Sequence, residues 1–145
     1  MTDVLPLSKR KPWSDIDLNR WRDYEEVLTD SLWHFPNRAS GDGHKLDYHG
    51  NYIPQIATQI FTRYSKQDDI VLDMFLGSGT SAVEALRMKR RCIGVELKAE
   101  LVDYVRGKIG SDLLDRHIHL LTGNSADPNI ISRIRRLRQN FSMVV

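Results

Sequence analysis

The run Ile70-Val71-Leu72-Asp73-Met74-Phe75-Leu76-Gly77-Ser78-Gly79-Thr80 joins a short apolar stretch to a glycine turn, and a helical pattern opens directly behind it. An apolar strand of this kind belongs to a sheet covered on both faces, and a glycine turn feeding a helix presents backbone amides to a ligand. Gly77, Gly79 and Ala82 form a G-x-G-x-x-A pattern, which many nucleotide-binding folds share. Glu96 closes the next apolar run, Cys92-Ile93-Gly94-Val95. That is close to where an open α/β sheet places a ribose-binding carboxylate.

From Asp69 onward the pattern is regular. It predicts strands at Ile70 to Asp73, Arg91 to Glu96 and Ile118 to Thr122, alternating with helices at Thr80 to Met88, Ala99 to Ile109 and Pro128 to Leu137. The last run, Phe141 to Val145, predicts a further strand. Short loops between alternating elements imply right-handed crossovers and parallel strands. The expected class is α/β, a Rossmann-like half-sheet in the order 3-2-1-4 with helices on both faces. Upstream, Met1 to Pro12 reads as a flexible basic arm carrying Lys9-Arg10-Lys11, and residues 13–145 as one ligand-binding unit. Ser14 resembles an N-cap for a helix over Asp15 to Leu28, an N-terminal helical extension that Trp13, Trp21 and Trp33 are expected to pack. Phe35 to Gly50 reads as a loop, and a helix follows Pro54 with Ile56, Ile60 and Phe61 facing inward.

A chain of 145 residues with 41% hydrophobic content can bury one core unaided. It holds no apolar stretch approaching a membrane span or a signal peptide, and its single cysteine, Cys92, excludes an internal disulfide and a cysteine-cluster zinc site. A cytoplasmic setting fits. His44, His49, His117 and His119 form no ligand set, so no metal is expected. The net charge of +2 does not by itself indicate nucleic acid, which depends on where cations cluster.

The glycine turn lacks the lysine that a triphosphate-gripping loop needs, because Thr80-Ser81 follow Gly79. Asp73, at the strand end, would repel a pyrophosphate but suits a cationic ligand such as S-adenosylmethionine, with its ammonium and sulfonium. A nicotinamide dehydrogenase is disfavoured for the same reason. Asp73 as a turn cap and Glu96 as a solvated strand end are the plainer alternatives. Gly123-Asn124-Ser125 can contact an adenine edge or serve only as turn residues.

The segment Asp73 to Thr80 closely resembles the D-P-F-x-G-S-G-T signature of S-adenosylmethionine-dependent DNA methyltransferases that modify cytosine N4 or adenine N6. His49-Gly50-Asn51-Tyr52-Ile53-Pro54-Gln55, Gly94-Val95-Glu96-Leu97 and Gly123-Asn124-Ser125-Ala126-Asp127 resemble that family's other cofactor segments, in the same order. The resemblance implies that Asp73, Phe75, Gly77, Ser78, Gly79 and Thr80 surround the methionine portion, with the Met74 side chain beside the site. It places Asn51, Ile53 and Pro54 near the methionine carboxylate and Glu96 at the ribose, and counts Leu97 among the cofactor-binding residues. Asn124, Ser125 and Asp127 would touch the adenine. Met74 stands where the family has proline.

The family's base-holding tetrapeptide, S/D-P-P-Y/F/W, occurs nowhere in the chain, so no catalytic residue is assigned. Cys92, in an apolar strand, does not suit ring-carbon methylation. The resemblance therefore implies the cofactor-binding part of a restriction-modification methyltransferase whose catalytic and target-recognition parts lie elsewhere. A second polypeptide is one expectation, covering the open edge of the last strand. A truncated remnant, a shortened form of a longer chain or a non-catalytic S-adenosylmethionine-binding interaction module are others. The best local candidates for DNA contact are Arg133, Arg135, Arg136 and Arg138, with Lys9-Arg10-Lys11 and Lys89-Arg90-Arg91, although a solvated charged face is the favoured reading of such runs and Lys89 and Arg90 also suit a helix C-terminus. The arginines of the last helix are expected on solvent, because Ile130, Ile134 and Leu137 take the sheet-facing stripe.

Overall fold

The computed structural model describes residues 13–39, 50–137 and 143–145; the basic arm, His44, His49, Arg138 and Phe141 lie outside them. The elements run α1 (Pro54–Tyr64), β1 (Ile70–Asp73), α2 (Thr80–Arg87), β2 (Arg91–Glu96), α3 (Ala99–Ile109), β3 (Ile118–Thr122), α4 (Pro128–Leu137) and β4 (Met143–Val144). The strands lie side by side as β3-β2-β1-β4. Every pairing is parallel, with Asp73 opposite Gly94 and Glu96 opposite Thr122. This is the expected α/β half-sheet.

Side chains on successive strand residues point to opposite faces, and the alternation divides the core in two. Val71, Cys92 and Ile118 face one way, packing with Ala57 and Phe61 of α1, Ala82 and Ala85 of α2, and Val105 and Ile109 of α3. Ile70, Leu72, Ile93, Val95 and Leu121 face the other way, against Ile130 and Ile134 of α4. Val71, Cys92, Val95 and Ile118 are fully buried. Each aliphatic side chain so enclosed stabilises the fold by about 1.5–3 kcal/mol.

The N-terminal segment departs from expectation. In place of a helix over Asp15 to Leu28 there is only a 3-10 turn at Leu18–Asp23, broken by the non-helical Arg20. The Asp17 carboxylate accepts from the Asn19 amide at 3.0 Å, a local bond that competes with continued helix. Trp13 and Trp21 are 78% and 64% exposed, so they do not pack a helix as expected. Trp33 does find a partner, since the Arg63 guanidinium lies over its ring at 4.8 Å. Polar clamps hold the segment instead: Gln59 donates to the Glu26 carbonyl at 2.7 Å and accepts from the Leu28 amide at 2.8 Å. Gln55 likewise donates to the Asn37 carbonyl and accepts from the Ala39 amide.

Two glycines allow the loop after β1 to settle onto the domain. A Cβ on Gly94 would stand 2.6 Å from Leu76, so the bare strand position admits Leu76, whose amide donates to the Val95 carbonyl at 2.9 Å. Gly79 adopts a left-handed φ of 84°, and a Cβ there would meet Val105 of α3 at 2.8 Å. Gly79→Ala therefore incurs both backbone strain and overpacking. It is expected to lower the unfolding free energy by about 2–4 kcal/mol in urea titration.

Candidate functional site

The site forms where β1 and β2 end side by side. Asp73 is 5% exposed; its carboxylate accepts from the Phe75 amide at 2.9 Å and from the Ser81 hydroxyl. Burial raises its pKa against these two hydrogen bonds, and the nearby Glu96 carboxylate adds to the rise. Among the described residues no cation pairs with this buried acid, a cost that a positively charged ligand can relieve. The Tyr52 hydroxyl shares Ser81, and burial together with the Asp73 charge raises its pKa.

Glu96 organises the second half. One carboxylate oxygen accepts from the Gly77 amide at 2.9 Å and the other from the Lys98 amide at 3.0 Å. Each oxygen keeps a lone pair for a further donor. Beside it lies a cavity of about 170 Å³ lined by Met74, Phe75, Val95, Glu96, Leu97, Gly123, Asn124 and Ser125. Phe75 and Leu97, 80% and 67% exposed, stand at this cavity as uncovered apolar walls. Within the glycine loop the Ser78 hydroxyl donates to the Asn51 side-chain oxygen at 2.5 Å.

A larger cavity of about 240 Å³ lies at the opposite end of the sheet, between Asp68, Leu86, Lys89, Arg90, Leu113 and His117. Open α/β sheets bind ligands at the carboxyl ends of their strands, and Arg90 is already committed. Its guanidinium donates to the Met88 and Ser65 carbonyls and to the Asp15 carboxylate at 2.9 Å. Arg90 is buried, which removes it from the candidate DNA contacts. Arg91 spends its side chain on the Asp68 carbonyl. Arg133, Arg135 and Arg136 are exposed on α4, opposite buried Ile130 and Ile134.

A family model described as DNA methylase, of the N6/N4 methyltransferase type, matches residues 6–106. The chain belongs to the amino-methylating DNA methyltransferase family. Curated relatives include the type II methyltransferase M1.MboII of Moraxella bovis, 32% identical over 52% of this chain and 31% of its own. M.ScaI of Streptomyces caespitosus is 25% identical over 56% of this chain and 28% of its own. M.BglI of Bacillus subtilis is 29% identical over 59% and 24%. The chain thus spans about a quarter to a third of the length of these relatives.

In this methyltransferase chain the sequence-predicted residues converge unevenly. Met74, Phe75, Glu96, Leu97, Asn124 and Ser125 share the cavity, and Gly77 is tied to Glu96. Ser78 is tied to Asn51, while Thr80 is buried at the first position of α2. Pro54 is buried at the start of α1 and Ile53 precedes it as the helix cap; neither lines the cavity. Asp127 turns its carboxylate to the Asn129 amide at 2.8 Å, at the start of α4, and is absent from the cavity wall. Sequence reasoning missed Tyr52 and Ser81. Tyr52 had a signal, since it lies inside the family-like segment around Asn51; Ser81 became visible only once α2 turned it back onto Asp73.

The raised pKa of Asp73 carries a stability consequence. Below the ordinary carboxylate pKa of about 3.9 the group is protonated whether folded or not, and its burial as an ion costs nothing. As pH rises the unfolded chain ionises first, so stability is lost progressively until the elevated folded pKa is passed. Asp73→Asn is expected to raise the ligand-free melting temperature above that window and to leave it unchanged below, as thermal scans across pH will show.

Proposed function

We propose that this chain binds S-adenosylmethionine at the ends of β1 and β2, as the cofactor-holding part of a restriction-modification DNA methyltransferase. The observation that carries the reading is the pair of strand-end carboxylates, Asp73 buried without an ion-pair partner among the described residues and Glu96 at an apolar-walled cavity. Their chemistry fits the ligand: an acid suited to a cationic centre, acceptors suited to ribose hydroxyls, and Met74, Phe75 and Leu97 suited to the adenine faces. When bound, the cofactor supplies the methyl group that an exocyclic amino nitrogen of cytosine or adenine accepts.

The chain's own residues bind and orient. Asp73 attracts the ammonium or sulfonium, and Ser81 and the Phe75 amide hold its carboxylate in place. Glu96 fixes the ribose while the Gly77 amide fixes Glu96, so the ligand meets groups already ordered. Such preorganisation limits the entropy lost on binding. The same buried Asp73 opposes a dinucleotide pyrophosphate, which favours this reading over a nicotinamide enzyme.

Calorimetry with S-adenosylhomocysteine is expected to show binding that Glu96→Ala weakens by about ten- to a hundredfold. NAD is expected not to bind; NAD binding without a response to S-adenosylhomocysteine overturns the proposal. Methyl transfer is proposed to need polypeptide that these 145 residues do not contain, since no S/D-P-P-Y tetrapeptide occurs among them. In a DNA methylation assay with labelled cofactor, the chain is expected to be inactive alone and active with the complementing segment or polypeptide. Activity of the isolated chain refutes that part.

A further inference from the structure

Two cations flank the Asn51–Ser78 hydrogen bond. Lys108, in the last turn of α3, reaches across to donate to the Ser78 carbonyl at 3.3 Å. Arg38, from the N-terminal segment, donates to the Asn51 and Tyr52 carbonyls at 3.3 and 3.2 Å. Both are half-buried, and neither enters an ion pair among the described residues. The Arg38 Nε is buried with no hydrogen-bond partner. Among the described residues, Lys108 has the Tyr104 ring, 5.4 Å away, as further compensation. Burial and the Arg38 charge lower the Lys108 pKa, as befits an ammonium held near a second cation.

Unpaired half-buried cations around a hydroxyl and an amide repel one another until an anion enters between them. Their position says which anion. Ser78 follows Gly77, the residue tied to the ribose-binding candidate Glu96, and is not among the residues that line the cavity with Asn124 and Ser125, while Arg38 holds the carbonyl of Tyr52, whose hydroxyl lies near Asp73. A ligand with its nucleoside in the cavity and its sulfur near Asp73 extends its amino-acid tail over Ser78.

We propose that Arg38 and Lys108 form an oxyanion clamp for the carboxylate of that tail, and so make the site selective for the complete cofactor over its nucleoside fragment. The clamp rests on the S-adenosylmethionine reading above. It assigns the N-terminal segment a share in ligand binding through Arg38, beyond the residues that the family resemblance points to.

The test pairs two ligands on the full chain: S-adenosylhomocysteine, which has the carboxylate, and 5′-methylthioadenosine, which has the same nucleoside and thioether but no amino-acid tail. Arg38→Met and Lys108→Met are each expected to weaken S-adenosylhomocysteine by about tenfold or more and to leave methylthioadenosine unchanged. Lys108→Arg, which keeps the charge, is expected to recover most of the loss. Equal weakening of both ligands assigns the residues a structural role and overturns the clamp, as does no change in either. A wild-type chain that binds methylthioadenosine and S-adenosylhomocysteine equally well also overturns it but spares the cofactor reading. Failure of the wild-type chain to bind either ligand removes both.

Discussion

The hydrogen bond from the Gly77 amide to Glu96 closes the gap between the loop after β1 and the end of β2. The Leu76 amide also reaches β2, through the Val95 carbonyl, but of the two only the Gly77 bond engages the Glu96 side chain. With it, the loop's path, the orientation of the Glu96 carboxylate and the start of α2 become one geometric unit. The bond relies on the parallel pairing of β1 with β2, on the missing side chain at Gly94 that admits Leu76, and on the left-handed turn at Gly79. Each of these is a packing fact, and together they fix where the ligand-facing groups stand.

Asp73 shows the opposite economy. A carboxylate at the end of a fully buried strand is unfavourable for the ligand-free protein, and its two hydrogen bonds only partly offset the lost hydration. Such groups persist where a binding partner supplies the missing charge. The proposed site thus combines an acid that is costly until a cation arrives with two cations, Arg38 and Lys108, that enter no ion pair among the described residues. The proposed ligand carries both kinds of charge, a carboxylate and cationic centres.

Much of this was legible from residue order. The strand spans from Ile70 to Asp73, Arg91 to Glu96 and Ile118 to Thr122 follow from apolar runs bounded by turns, and their burial on both faces accounts for that clarity. Asp73, Gly77 and Glu96 stood out because their spacing ties them to the ends of those strands. The N-terminal segment was misread as a helix because Leu18, Trp21 and Tyr24 have helical spacing. Spacing says nothing about whether a face has anything to pack against, and here Leu18 and Trp21 face solvent. Arg90 sat in a basic triplet that looked like surface, yet it is buried among carbonyls and a carboxylate contributed by Asp15, far away in the chain. Arg38 and Lys108 were beyond reach for the same reason. They meet only through the fold, and neither sits in a motif.

The two faces of the sheet are unequally covered. Among the described residues, α1, α2 and α3 close one side over a cluster of ten buried residues, whereas α4 closes the other over seven. Local opening follows the density of buried apolar contact, so α4 and the turn that leads into it are expected to be the more labile cooperative unit. The Gly123 to Ser125 wall of the cavity belongs to that unit, and Asp73 belongs to a strand buried on both sides. A bound ligand would therefore lie across a mechanical boundary, one end against a stiff wall and the other against a yielding one.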